Sequence, residues 1–279
     1  MMDAPEWLGL QPTHNPLRWN LPVVPGISTG GGFLFGGCGL GAAIAALEAT
    51  TERPVVWATA QYLSFARPGS IMDIDVTVAV DGKQTSQARA VGHVGNTEIL
   101  TVNAALGSRS FPESGQWVPF PTVPPPDECP VRESRWNTVA DSILNRLDQR
   151  WALTPNPVEG AATSDMPGRC AVWTRMPELL TVSAPALAVL GDYVPLGLGV
   201  TLEHEITSNS LDNTLRVAKV VETEWVLVDI FVETVQNGFG HGHVYLWSED
   251  GTLMATASQS ALVRIWKGDT AGYRPATPK

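Results

Sequence analysis

The chain has 279 residues, of which 44% are hydrophobic and 16% charged, and a formal net charge of −10. That length carries one large domain or two small ones with real cores, and the composition is that of a globular chain, not a disordered one. The acidic balance speaks against a nucleic-acid partner, which would call for a basic face, although a local basic patch would still serve an anionic small molecule.

No apolar run is long enough to span a bilayer. The opening residues, MMDAPEWLGL, lack a basic region followed by an apolar core, so no secretory signal is expected. Cys38, Cys129 and Cys170 are far apart and odd in number. They show neither metal-ligand spacing nor a disulfide framework, and each is expected to be a small buried hydrophobe. A reducing, cytoplasmic location follows as the default.

Residues 30–49, GGGFLFGGCGLGAAIAALEA, run from a glycine cluster into an alanine-rich helix with one acid, Glu48. Two readings compete: a phosphate-cradling loop, or a central helix around which a curved sheet wraps. Gly37, Gly39 and Ala42 fit the G-x-G-x-x-A spacing of a dinucleotide site. That fingerprint needs a hydrophobic strand before it, and Gly26–Thr29 followed by glycines is a poor one. It also needs an acid on the next strand, and Val55–Phe65 holds none; no phosphate lysine follows the glycines either. The second reading is therefore preferred.

Ile74, Val76, Val78 and Val80 then alternate with Asp75, Thr77 and Ala79, the period of a half-buried strand. Asp81-Gly82 marks a turn, and 84–94 and 97–106 read as further strands around Gly95-Asn96. Residues 117–130, WVPFPTVPPPDECP, hold five prolines between Pro119 and Pro126 and read as a semi-rigid spacer. Beyond it, Ser183 and Pro185 look like the start of a short helix ending near Gly191 and Asp192. Residues 215–221, 225–233, 240–247 and 252–264 read as strands, with a hairpin at Asp250-Gly251. The matched pair 95–106 and 250–262 suggests an internal repeat. Each half would be a helix on a curved antiparallel sheet, with a boundary at the proline-rich segment.

Several other groups have a plain structural reading. His241 and His243 lie two apart on a predicted strand without a third metal ligand, and so read as an exposed polar face. Glu203-His204-Glu205 reads as a surface strand, with the glutamates facing one way and the histidine the other. Trp136, Trp151, Trp173 and Trp225 read as packing in the core and along the seam. Arg67, Lys83 and Arg89 could meet the phosphates of an anionic ligand or simply form a solvated face. No G-x-S-x-G elbow marks a serine hydrolase.

Taken in order, Gly31-Gly32, Phe35-Gly36-Gly37, Phe65-Ala66-Arg67-Pro68-Gly69, Asp81-Gly82-Lys83 and Ala88-Arg89-Ala90-Val91 resemble the first half of the double-hotdog acyl-CoA thioesterases of type II. Leu190-Gly191-Asp192, Ser210-Leu211-Asp212, Glu224-Trp225-Val226-Leu227, Asp250-Gly251, Ser258-Gln259 and Leu262-Val263-Arg264 resemble the second half. The resemblance covers most of residues 27–266. It implies an α+β double hotdog: two helix-on-antiparallel-sheet halves fused as a pseudo-dimer. The expected division is an N-terminal hotdog over 1–116, a proline-rich linker over 117–134 and a C-terminal hotdog over 135–279.

The resemblance also implies an active site in the second half, near the seam, made of Asp192, Ser210 and Gln259 around one water. Asp212 is expected to brace the turn that follows Ser210. Taken alone, Asp192 could end a short helix, Ser210 could be a loop hydroxyl, and Gln259 could be a buried amide in need of a partner. Acyl-CoA is the implied substrate, without cofactor or metal, and a homodimer or tetramer is the implied assembly.

The chemistry is sound on its own terms. A thioester carbonyl is electrophilic and its thiolate leaves readily. A carboxylate can orient water and accept its proton, while a hydroxyl and an amide hold that water in line. The alternative, prompted by Asp212-Asn213-Thr214 with Arg216 and Val217, and by Gln259-Ser260-Ala261, is a non-catalytic acyl-CoA or acyl-chain binding protein on the same fold. These segments depart from the family pattern, as do Thr59 and Tyr62, which stand near places that often hold histidine.

Overall fold

The computed structural model of the chain describes residues 2–133, 141–179 and 181–266. In chain order, helix α1 (Ala4–Leu8) and strands β1 (Gln11–Pro12) and β2 (Arg18–Pro22) precede helix α2 (Gly36–Thr51). Strands β3 (Val55–Tyr62), β4 (Ile71–Asp81), β5 (Thr85–Val94) and β6 (Thr97–Gly107) complete the first half. The second half contains β7 (Asp148–Thr154), β8 (Ala162–Thr163), β9 (Arg169–Arg175), α3 (Ala184–Leu190) and α4 (Val194–Thr201). It ends with β10 (Ile206–Val217), β11 (Val226–Gln236), β12 (Phe239–Ser248) and β13 (Leu253–Ile265).

Period-two alternation does its expected work. Met72, Ile74 and Val76 of β4, and Ala88 and Ala90 of β5, point to the core, while the residues between them face outward. The strands join into one 13-stranded sheet in the order β1-β2-β4-β5-β6-β3-β10-β13-β12-β11-β9-β7-β8. Every pairing is antiparallel except the short β7–β8 contact. The halves meet where β3 pairs with β10, from Gln61↔Asp212 to Trp57↔Arg216. On the outer face of this seam, Thr59 and Thr214 share a hydroxyl–hydroxyl hydrogen bond of 2.7 Å. This is the double hotdog that the resemblance implied.

Helix α2 is buried from Gly37 to Leu47. It has no polar stripe because it has no wet side: the sheet covers one face and α3 the other. A Cβ at Gly37 would lie 2.9 Å from the Ala188 carbonyl oxygen, and one at Gly41 would lie 2.8 Å from that of Pro185. As the α2 number rises the α3 number falls, so the two helices cross antiparallel with their backbones almost touching. Glu48 accepts the Val55 N–H at 2.8 Å and so ties the helix to the strand that follows.

The second half has a broken central helix. Gly191–Tyr193 interrupt it between α3, which packs on α2, and α4, which lies on the second part of the sheet. The stretch Ala184–Thr201 is apolar and long enough to cross a membrane by composition, with a mean hydropathy of 1.3, yet 72% of it is buried inside the protein. Its apolar character is that of a core helix. Cys38, Cys129 and Cys170 are free and buried. Burial pushes Cys129 up to about 11 and Cys170 to about 12, so both stay neutral thiols.

The structure differs from the sequence reading in specific places. Residues 117–130 are a strap more than a spacer. Phe120 packs edge-on to Trp247 at 5.6 Å, Trp173 Nε1 donates to the Pro124 carbonyl at 2.9 Å, and Gln116 accepts from Leu253 N–H at 2.7 Å. A second small core thus forms outside the sheet, with Trp173, Trp225 and Trp247 in it. Trp136 lies outside the described residues.

Strand β9 shows no alternation in the sequence, because Cys170 to Thr174 are buried on both faces. Strand β10 begins at Ile206 instead of Leu215, its polar start resembling a loop. Helix α4 is an addition to the expected elements, its helical pattern masked by Pro195, Gly197 and Gly199. Glu203-His204-Glu205 is a bend between α4 and β10, so the expected surface strand is absent there.

The helix crossing yields a prediction. Gly41→Val should cost about 2 kcal/mol, read as a melting temperature lowered by roughly 5 °C. An unchanged or raised melting temperature would show slack between α2 and α3.

Candidate active site

The break after α3 turns Asp192 out of the helix at the point where α3 passes the start of α2. The first turn of α2 carries the positive end of a 16-residue helix dipole; there Cys38 and Gly39 N–H bond to the Phe35 carbonyl, and Gly37 N–H is left without a backbone acceptor. Gly37 N–H donates to Asp192 Oδ2 at 2.6 Å. The carboxylate of one half is therefore held by the helix of the other.

Gln259 comes from β13, on the inner face with Ala257 and Ala261 as small neighbours. Its Nε2 donates to Asp192 Oδ1, and also to Ser210 Oγ at 2.6 Å. Ser210 sits at a β-bulge: its partner is Ala261, the next paired residue is Asp212, and Leu211 is left outside the ladder, 39% exposed. Asp212 accepts the Ser260 N–H at 2.9 Å and braces the bulge. The structure brings Asp192, Ser210 and Gln259, named from the sequence, into one hydrogen-bonded group. What the sequence did not locate was the helix-end N–H that completes it.

Asp192 and Gln259 are only 4% and 2% exposed. Burial lifts the Asp192 carboxyl from its ordinary 3.8 to about 7, against the downward pull of Gly37 N–H, Gln259 and Ser210. A carboxylate with that affinity can hold or release a proton near neutrality.

A cavity of about 580 Å³ opens beside Asp192. Phe33 and Phe35 from the loop before α2, Leu196 and Val200 from α4, and Ile143 give it an apolar lining. Glu203, His204 and Glu205 line one edge of it, which replaces the surface-strand reading of that triplet. No sequence pattern points to this cavity, because helix α4 is not legible there.

The remaining groups lie elsewhere. Arg67, Lys83 and Arg89 are exposed, and Arg89 lies between buried Ala88 and Ala90, so it points to the outer face of the sheet. His241 contacts Ser260 Oγ at 3.1 Å. His243 contacts Glu233 at 2.8 Å and stacks on Phe231 with centroids 4.7 Å apart. Among the described residues no group of three or more His, Cys, Asp or Glu could hold a metal ion.

Comparison with known proteins agrees with this architecture. The family model for the acyl-CoA thioesterase N-terminal domain matches residues 24–107, and that for the C-terminal domain matches residues 104–263. A protein of Novosphingobium aromaticivorans, described as a candidate thioesterase, is 30% identical, with a TM-score of 0.81 over 93% of this chain and 98% of its own. An acyl-CoA thioesterase II from Mycobacterium marinum is 21% identical, with a TM-score of 0.73 over 95% of this chain and 100% of its own. A candidate thioesterase II from Thermobifida fusca is 17% identical, with a TM-score of 0.79 over 95% and 98%. No curated protein matches the chain. With both halves matched in order, the chain belongs to the type II, double-hotdog family of acyl-CoA thioesterases.

Proposed function

We propose that the protein hydrolyses an acyl-CoA thioester to a free acid and coenzyme A, with water activated by Asp192, Ser210 and Gln259. The observation that carries this reading is the buried Asp192 carboxylate, tuned to about 7 and joined to an amide and a hydroxyl beside a cavity with an apolar wall and a charged edge. The apolar lining suits an acyl chain. Asp192 takes a proton from water, and the water oxygen bonds to the carbonyl carbon. Ser210 and Gln259 keep that water in line and need not become nucleophiles. The carbonyl oxygen becomes an oxyanion, which the positive end of the α2 dipole favours. Collapse of the tetrahedral intermediate breaks the C–S bond, the thiolate leaves, and the proton held by Asp192 passes to it or to solvent.

Free thiol released from a panel of acyl-CoAs tests the reading. Asp192→Asn should lower kcat by roughly 10²- to 10⁴-fold, the usual worth of a general base. Gln259→Ala should lower it by about 10²-fold through loss of water alignment. Tight acyl-CoA binding without thiol release at any chain length would instead assign a binding protein on the same fold.

The carboxyl also sets a pH dependence. Asp192 must be ionised to act, so kcat/KM should climb as pH rises through about 7 and then level off. Stability moves the opposite way. The folded state holds its extra proton between the ordinary 3.8 and about 7, so this group's stabilising contribution is full below that window and is lost as pH rises through it. Asp192→Asn should therefore raise the melting temperature at pH 8, with the gain vanishing near pH 4. A gain that grows toward acid pH would contradict the buried-carboxyl account.

A further inference from the structure

Gln259 spends its Nε2 on Asp192 and Ser210, and its Oε1 is buried with no hydrogen-bond partner. No fully formed hydrogen bond reaches either amide atom of Asn213 or the Tyr62 hydroxyl, although the Asn213 amide lies close enough to the phenol to act on it. These groups are neighbours. Asn213 is paired in register with Gln259 on one side and with Ala60 on the other, which places Asn213 beside Gln259 on the inner face. Tyr62 is two residues beyond Ala60 on the same face of β3. A Cβ at Gly36 would lie 2.7 Å from Asp192 Oδ2, 2.9 Å from Tyr62 Cζ and 3.0 Å from the Tyr62 hydroxyl. Only glycine keeps open the space between the carboxylate and the phenol.

A buried polar atom left unpaired destabilises the fold, and folded proteins carry few of them. Here four such atoms sit in one polar patch around Asp192. That pattern fits a site whose partners arrive with the substrate. The Gly37 N–H cannot serve the carbonyl oxygen while it is bonded to Asp192, so the reaction lacks a donor that the phenol can supply.

Building on the thioesterase reading, we propose that Tyr62 is a further catalytic residue, whose hydroxyl donates a hydrogen bond to the thioester carbonyl oxygen as it becomes an oxyanion, and that Asn213 is a positioning residue for the phenol. The tyrosine is suited to donation and unsuited to proton abstraction. Burial first, then the nearby charges of Asp192 and Asp212, hold its ionisation well above the ordinary 10, against a smaller opposing pull from Asn213. It therefore keeps its proton throughout the range in which Asp192 titrates.

The experiment compares wild type, Tyr62→Phe, Asn213→Ala and the double variant by thiol release, with pH profiles and thermal melts. Tyr62→Phe should lower the plateau kcat about 10²-fold, the worth of one oxyanion donor, with KM and melting temperature nearly unchanged. Asn213→Ala should lower kcat less, and the double variant should be no slower than Tyr62→Phe, because a residue acting through another is not additive with it. A second readout uses the slow Asp192→Asn background. The carbonyl stretch of a bound ¹³C-labelled thioester should move to higher frequency when Tyr62→Phe is added.

Wild type that releases no thiol sinks the hydrolase reading and this role with it. Wild-type turnover that Tyr62→Phe keeps within about twofold sinks this role alone. A shifted apparent pKa with an unchanged plateau would make Tyr62 a tuner of Asp192 and overturn the proposal. So would an activity loss that merely follows a collapse in melting temperature.

Discussion

The hydrogen bond from Gly37 N–H to Asp192 is the contact on which the site depends. It exists because two helix backbones are allowed to approach as closely as glycine permits. With side chains at 37 and 41, α3 would be pushed off α2, and the break that follows α3 would carry Asp192 away from the helix end. The same contact explains how a carboxylate survives in a nearly dry place. Helix dipole, N–H, amide and hydroxyl offset part of the desolvation cost, and the residual cost appears as an affinity for protons near neutrality. Fold and chemistry are thus coupled through one crossing.

The second constraint is the seam. Because β3 pairs with β10, the inner faces of both halves contribute to one polar patch. Tyr62 and the start of α2 come from the first half; Asp192, Ser210, Asn213 and Gln259 come from the second. Neither half holds the full set. The bulge at Leu211 matters for the same reason. It resets the alternation so that Ser210 and Asn213, three positions apart, both reach the site. A regular strand would turn one of them to the outer face.

What the sequence revealed and what it hid follow physical lines. The long helix and the strands β4, β5 and β6 were legible, since each has one dominant period and clear turn residues such as Asp81-Gly82 and Gly95-Asn96. The trio Asp192, Ser210 and Gln259 was legible through flanking motifs only. No periodicity would bring residues on a helix break, a bulge and a distant strand together. Strand β9 was hidden by burial on both faces, and α4 by its proline and glycines. With α4 unseen, the cavity and the true setting of Glu203-His204-Glu205 were unseen too. The glycine run over 30–49 is the instructive case. Its spacing imitates a phosphate loop, whereas its glycines serve three distinct close approaches: Gly36 to Asp192 and Tyr62, Gly37 and Gly41 to α3, and Gly39 to Leu100.

The asymmetry of the two halves follows from the same geometry. In the first half one helix of 16 residues runs unbroken along the sheet. In the second, a helix of 7 residues and one of 8 are separated at Gly191–Tyr193. An unbroken second helix would keep residue 192 in the helical hydrogen-bond ladder and aim its side chain back along the preceding turn. The break frees it to face the end of α2, and the displaced α4 then walls the cavity beside it. Two identical chains would have to build both helices alike. A fused chain lets one helix stay whole to supply a positive end while the other is broken to supply a carboxylate, and the pairing of these unlike ends makes a single hydrogen-bonded group from a repeated fold.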